Sequence, residues 1–244
     1  MIGLPDAIKA LLFDLDGVLT GTAELHRQAW KRTFDDFLSR RDGPGFRPFT
    51  DQDYLAYVDG RPRADGVRTF LESRQIHLPE GEPDDPPGDT TVNSVGNTKN
   101  ELLLKVIDEE GVRPYPGSRR YLEAARAAGF KIACVTSSAN GEAVLKAADL
   151  TQFIDARVDG LTIAAQHLHG KPAPDSFLAG AKALGVPPNE AAVFEDALSG
   201  VAAGRAGNFG HVVGVNRANQ AEALREHGAD VVVDDLADLL EHKA

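Results

Sequence analysis

The chain is almost without cysteine: Cys134 stands alone among 244 residues. No intramolecular disulfide can form, so the fold must rest on a packed core. The thiol lies in the apolar run Ile132-Ala133-Cys134-Val135, where it reads as a small buried side chain and fits a reducing, cytoplasmic compartment. Long apolar runs are missing too. No stretch of about 18 apolar residues occurs, and Met1-Ile2-Gly3-Leu4-Pro5-Asp6 lacks a basic segment followed by an apolar one, so the chain is expected to be neither membrane-spanning nor secreted. Positive charge is in deficit. Lys and Arg number 26 against 37 Asp and Glu, a formal net charge of −11, which repels nucleic acid and anionic membranes over most of the surface. An anionic ligand would need a local basic pocket. The sequence also shows no internal repeat and no low-complexity tract.

What is present is an ordinary globular mixture, 42% hydrophobic and 26% charged, and this length suggests one core domain carrying a sizeable insertion. Ala10-Leu11-Leu12-Phe13 is a short continuous apolar run ending at Asp14, the pattern of a parallel strand buried on both faces. Residues 131–135, 191–194, 211–215 and 230–233 repeat it. Ala-rich stretches of helical spacing lie between them, at residues 119–128, 141–148, 176–184 and 200–206, with Gly129 and Gly185 as helix stops. Alternation of strand and helix implies a parallel sheet covered on both faces. Residues 22–113 break the rhythm. Trp30, Phe34, Phe37 and Leu38 fall at helical spacing, a second helix is expected within residues 65–74 and a third over residues 100–109. Between them, residues 80–89 contain three prolines, five acids and no apolar side chain, which predicts an exposed loop. The expected organisation is an α/β core from residues 1–21 and 114–244, with residues 22–113 as a helical insertion.

The chemistry-bearing residues recur at strand ends, where open α/β sheets bind ligands. Phe13-Asp14-Leu15-Asp16-Gly17-Val18-Leu19-Thr20 sets two carboxylates two residues apart after the first strand. Thr136, Ser137 and Ser138 follow the second, and Ala139-Asn140-Gly141 then opens a helix, so hydroxyls and backbone N–H groups converge where an anion is favoured. Lys171 is framed by Gly170-Lys171-Pro172-Ala173-Pro174-Asp175, in which two prolines restrict the chain and remove two backbone donors. Val193-Phe194-Glu195-Asp196 again ends an apolar run in carboxylates. Any one cluster could be helix capping or a turn. Four at successive strand ends are hard to attribute to capping.

This order, Asp-x-Asp-Gly, then Thr/Ser, then Lys-Pro, then Glu-Asp, resembles the haloacid dehalogenase superfamily of aspartyl-phosphate phosphotransferases, and within it the β-phosphoglucomutase-like group. Further matching segments are Leu25-His26, Ala29-Trp30, Asp59-Gly60-Arg61-Pro62-Arg63, Gly96-Asn97-Thr98-Lys99-Asn100 and Tyr115-Pro116-Gly117. The resemblance covers nearly the whole chain. It implies a Rossmann-like, doubly wound core with an inserted helical cap of the C1 type. It also implies Asp14 as nucleophile and Asp16 as general acid and base. Mg²⁺ would be held by Asp14, the main-chain carbonyl of Asp16 and Asp196, with Glu195 as a further ligand or beside one. Phosphate-binding groups would come from Thr136, Ser137, Ser138, Ala139, Asn140 and Lys171, and substrate-binding groups of the cap from His26, Trp30, Gly60, Arg63 and Lys99. Three positions depart from the group's pattern: Asp59 stands where a Lys commonly precedes the cap glycine, Gly66 replaces a small hydroxyl residue, and Ala139 replaces a Lys.

The activity implied is a Mg²⁺-dependent sugar phosphomutase interconverting β-D-glucose 1-phosphate and glucose 6-phosphate through a bound bisphosphate. The competing reading is a sugar-phosphate phosphatase, with water as acceptor. Dehalogenase chemistry has no use for an acid/base at Asp16. A receiver-type signalling domain places its phospho-acceptor after a later strand and lacks a helical insertion. A non-catalytic binding module is disfavoured because every motif residue is intact. The expected partner is a small phosphorylated sugar, without nucleic acid or membrane, and the chain is expected to act as a monomer.

Overall fold

The computed structural model describes residues 2–241. Two compact units emerge, Met1–Gly21 with Val112–Ala244 and, separately, Thr22–Gly111. Val112 and Arg113, which the sequence places in the insertion, fall in the first unit, where the Arg113 carbonyl accepts the N–H of Gly21 at 3.1 Å.

The first unit is a Rossmann-like α/β core. Among the described residues its sheet has six strands, all parallel: β1 (Ala10–Phe13), β2 (Lys131–Val135), β3 (Ala156–Val158), β4 (Ala191–Glu195), β5 (His211–Val215) and β6 (Val231–Val233). Their spatial order is β3-β2-β1-β4-β5-β6. The chain therefore winds outward from β1 in one direction and returns to its other side at β4, which makes the β1/β4 boundary the switch point where a crevice opens at the strand ends.

Every β1 residue is buried because helices cover both faces. Ala10 and Leu12 join Phe177 and Ala181 in one core layer, while Phe13 meets Tyr121 edge-on at 6.1 Å on the opposite side. Phe13 and Phe194, partners in register on β1 and β4, stack at 4.3 Å. Cys134 pairs with Phe13 across β1 and β2 and is buried. Burial and the nearby Asp14 and Asp16 carboxylates push its thiol well above the ordinary range, which leaves it unreactive.

In the second unit, α1 (Thr22–Asp42), α2 (Asp51–Tyr57), α3 (Arg63–Ser73) and α4 (Val92–Glu110) pack around Trp30, Phe34, Phe49 and Phe70. Phe34 lies 4.2 Å from Phe70 and 5.0 Å from Phe49, close aromatic packing that substitutes for a long core. No strand occurs there among the described residues, as expected. The third helix begins at Val92, eight residues earlier than the apolar pattern shows. Its first turns carry Asn93, Ser94, Asn97 and Thr98, so periodicity is silent, and a reciprocal capping box between Thr91 and Ser94 starts it instead. Residues 80–89 do form a largely exposed loop, anchored where Thr91 Oγ1 donates to Asp85 Oδ2 at 2.6 Å.

The remaining core helices are α5 (Pro116–Ala127), α6 (Gly141–Ala147), α7 (Gly160–Ala165), α8 (Asp175–Leu184), α9 (Leu198–Ala206), α10 (Ala221–Glu226) and α11 (Asp238–Glu241). The sequence pattern missed β3, α2, α7, α10 and α11, each of seven residues or fewer. Elements of one or two turns cannot display a period. No helix among the described residues is long and apolar enough to cross a membrane.

Candidate active site

Asp14 follows β1 directly, and its N–H donates to the Phe194 carbonyl at 2.9 Å. Parallel pairing of β1 with β4 therefore brings the first strand's carboxylate beside those that end β4, Glu195 and Asp196. One carboxylate oxygen from each of Asp14, Glu195 and Asp196 lies within 4.8 Å of the other two, and all three residues are buried.

Lys171 is the cation that this cluster faces. Its Nζ donates to Asp14 Oδ1 and Glu195 Oε1, each at 2.6 Å, and to the Val135 carbonyl at 3.3 Å. The ammonium also lies 4.8 Å from the centroid of the Phe177 ring. Burial alone would drive this ammonium below its ordinary value, but the charges of Asp14 and Glu195 and its hydrogen bonds to both hold it above that value. Glu195 is fixed at both oxygens, since Oε2 accepts the N–H of Ala197 at 2.9 Å. The peptide bond between Lys171 and Pro172 is cis.

Burial pushes the Asp14 carboxyl well above the usual carboxylate range; Lys171 opposes this, while Glu195 and Asp16 add to the rise. Three buried carboxylates beside one ammonium leave a formal surplus of negative charge at this place. A hard divalent cation fits this surplus, because carboxylate and carbonyl oxygens are the donors such ions take. Gly17 makes the room. At φ +89° it adopts a conformation that side chains disfavour, and a Cβ there would fall 1.9 Å from Asp196 Oδ2.

Asp16 lies beside Thr136, whose Oγ1 donates to Asp16 Oδ2 at 3.3 Å. Thr136 follows β2, and its N–H donates to the Val158 carbonyl at 2.9 Å. The loop beyond is fastened by its own hydroxyls, with the Ser138 N–H on Thr136 Oγ1 at 3.1 Å and the Asn140 N–H on Ser138 Oγ at 3.2 Å. Ala139 is held from outside the motif. Gly160 donates to the Ser138 carbonyl at 2.9 Å, and a Cβ on Gly160 would lie 2.8 Å from both Ala139 N and Ser137 O. Asp159, the N-cap of α7, precedes it and takes Arg157 Nε at 2.8 Å. Gly160→Ala is therefore expected to destabilise the core by about 1–3 kcal/mol through overpacking. The same change should weaken competitive inhibition by inorganic phosphate, and thermal melting with inhibition assays reads both.

The core unit thus brings Asp14, Asp16, Thr136, Lys171, Glu195 and Asp196 together. In the second unit, Lys99 is buried, with Nζ 3.1 Å from His26 Nδ1 and 5.0 Å from the centroid of the Trp30 ring. Trp30 also stacks on Phe34 at 5.1 Å, so it belongs to that unit's core as well. Arg63 opens α3, and its side-chain stem lies against Gly96, one helical turn before Lys99 on α4. Its guanidinium is half-buried, and burial holds it below the ordinary arginine value. Gly60 sits just before α3 at φ +73°.

The motifs did not reveal the groups that hold the Asp16 loop. Ser118 Oγ donates to the Val18 carbonyl at 2.6 Å and the Tyr115 N–H to the Leu19 carbonyl at 3.0 Å. Tyr115 stood in a matching segment, but a serine on a helix carries no sequence signal of such a bond.

A profile of the haloacid dehalogenase-like hydrolases matches residues 8–208. The chain is 57% identical over 247 residues to the beta-phosphoglucomutases of Mycobacterium bovis and Mycobacterium tuberculosis, covering 98% of this chain and 94% of each relative. The crystal structure of beta-phosphoglucomutase from Clostridium difficile superposes with a TM-score of 0.76 at 27% identity, covering 95% of this chain and 93% of that one.

Proposed function

The chain belongs to the haloacid dehalogenase-like hydrolases, and from that premise we propose that it is a sugar phosphomutase interconverting β-D-glucose 1-phosphate and glucose 6-phosphate through an aspartyl-phosphate and a bound bisphosphate. The observation that carries the reading is 57% identity to beta-phosphoglucomutases over 98% of the chain, with the Asp14, Asp16, Lys171 and Asp196 constellation intact at the sheet's switch point.

A carboxylate oxygen of Asp14 attacks the phosphorus of one end of the bisphosphate. A new P–O bond forms to Asp14 as the P–O bond to the sugar breaks, and Asp16 delivers a proton to the departing sugar oxygen. When the phosphate at position 1 has reacted, glucose 6-phosphate leaves; in the second half Asp16 takes the proton from the 6-hydroxyl of an incoming β-D-glucose 1-phosphate, and that oxygen accepts the phosphoryl group as its bond to Asp14 breaks, which restores the bisphosphate. Thr136 and Lys171 offer hydrogen bonds to the phosphoryl oxygens, where charge is concentrated during transfer. The loop from Ser137 through Asn140 supplies further hydroxyl and N–H donors. Arg63 and Lys99, with His26, Trp30 and Gly60, serve the sugar and the phosphate that is not reacting. Asp14, Asp196 and the Asp16 carbonyl would hold Mg²⁺, with Glu195 beside them. Once bound, the ion would screen the carboxylates and stabilise the charge of the phosphoryl oxygens.

The test supplies β-D-glucose 1-phosphate and Mg²⁺, with and without a catalytic amount of glucose 1,6-bisphosphate. Glucose 6-phosphate should form, faster when the bisphosphate is present. Stoichiometric release of inorganic phosphate instead would make the protein a phosphatase. Asp16→Asn separates the two halves of the chemistry. It should still be phosphorylated by acetyl phosphate, whose leaving group departs without protonation, yet lose roughly 10²–10⁴-fold in transfer to the sugar, the usual scale of general acid–base assistance. Equal loss with both donors would remove Asp16 from the acid/base role.

A further inference from the structure

The loop after β5, residues 216–220, reaches both strand ends that carry the acidic cluster. Arg217 Nε donates to the Gly17 carbonyl at 2.8 Å, and its Nη1 donates to the Asp234 carbonyl at 2.8 Å. The guanidinium lies 3.8 Å over the ring of Tyr115, the residue whose N–H holds the Leu19 carbonyl. Gln220 Nε2 donates to the Asp196 carbonyl at 3.1 Å, while its own N–H is fixed on Asn216 Oδ1 at 2.8 Å. Asn216 Nδ2 in turn donates to Asp234 Oδ1 at 2.8 Å.

These bonds have a directional consequence at Asp16. The carbonyls of Gly17, Val18 and Leu19 are each held, by Arg217, Ser118 and Tyr115 respectively. The Gly17 N–H donates to the Thr20 carbonyl at 2.8 Å. In a planar trans peptide the carbonyl points opposite to the N–H, so the direction of the Asp16 carbonyl is set by the loop that Arg217 clamps. The guanidinium also buries Nη2 without a hydrogen-bond partner, which is unfavourable in itself.

We infer that Arg217 and Gln220 are positioning residues for the divalent cation: Arg217 aligns the Asp14–Asp16 loop, and Gln220 aligns Asp196. This rests on the reading of Asp14, Asp196 and the Asp16 carbonyl as the cation's ligands. Partners that orient metal ligands characteristically govern affinity by 10–100-fold. Arginine suits the task because one planar group can donate in two directions while stacking on a ring, which a lysine cannot do.

The experiment is calorimetric titration of metal-free full-length protein with Mg²⁺, alongside thermal melting without metal. Arg217→Met should weaken Mg²⁺ binding about 10- to 100-fold, Arg217→Lys should fall between it and the unaltered protein, and Gln220→Leu should lose about 10-fold. Mutase flux in each variant should recover toward the unaltered rate as Mg²⁺ is raised. A structural role alone would lower the melting temperature and leave Mg²⁺ affinity of the folded protein unchanged. Affinities within 2-fold of the unaltered protein would overturn the inference while sparing the cation site. Failure of the unaltered protein to bind Mg²⁺ would overturn both. If Arg217→Met does not fold, Gln220→Leu, which leaves the guanidinium clamp in place, decides.

Discussion

Asp14→Asn is expected to abolish phosphoryl transfer, by on the order of 10⁴-fold or more, while leaving the chain folded. The substitution is nearly isosteric and removes the attacking oxygen's charge. The amide oxygen can still accept from Lys171, and Lys171 keeps its 2.6 Å bond to Glu195, so no buried cation is stranded. Burial already disfavours the ionised Asp14 carboxyl. Without metal, the variant should therefore melt at the same temperature as the unaltered protein or higher. With Mg²⁺ the order changes. A ligand that binds only the folded state raises stability by about 2.7 kcal/mol at a hundredfold excess over its dissociation constant, and the variant, lacking one ligand charge, should gain less. Rates with glucose 1-phosphate and acetyl phosphate, together with melts at both metal levels, read all of this. Retention of even a few per cent of activity with either donor would remove Asp14 from the nucleophile's place.

Lys171→Met should be the most destabilising change in the site. The side chain is fully buried between Asp14 and Glu195, and methionine fills similar volume without charge. Breaking a buried pair from one side strands the other, at a typical cost of about 3–5 kcal/mol. For a chain of this size that amounts to a fall of roughly 10 °C in melting temperature. Phosphoryl transfer should fall by at least ~10²–10³-fold, the scale of losing one preorganised donor to the transferring group. The double variant Asp14→Asn with Lys171→Met should recover part of the lost stability, because one of the stranded carboxylates is gone and contacting residues do not act additively. A single variant within about 1 kcal/mol of the unaltered protein would mean that the ammonium does not offset the carboxylates.

Much of the site was legible because its parts are local. Each chemical residue follows a short apolar run, and such a run in a parallel sheet is both a strand and a pointer to the ligand-binding edge. Asp14 after residues 10–13, Thr136 after residues 131–135 and Glu195 and Asp196 at the close of β4 were readable on that ground. Elements whose cause lies in side-chain capping or tertiary packing were not. The start of α4 needed the Thr91–Ser94 box, and α7 needed Asp159 accepting from Thr162.

By itself, then, the sequence determined the alternation of buried strands and helices, the helical insertion and the residue types at each strand end. Periodicity and burial act over a few residues and leave their mark there. Only the tertiary structure decided which of those ends meet. Lys171 reaches Asp14 across 157 positions and Arg217 reaches Gly17 across 200. Parallel strands joined by crossovers set distant residues side by side, and a buried ammonium or a guanidinium on a carbonyl looks, in sequence, no different from one in solvent. What converts these residues into a charge cluster with held ligands is desolvation and direction, and both arise only when β1, β4 and the loop after β5 are packed against one another.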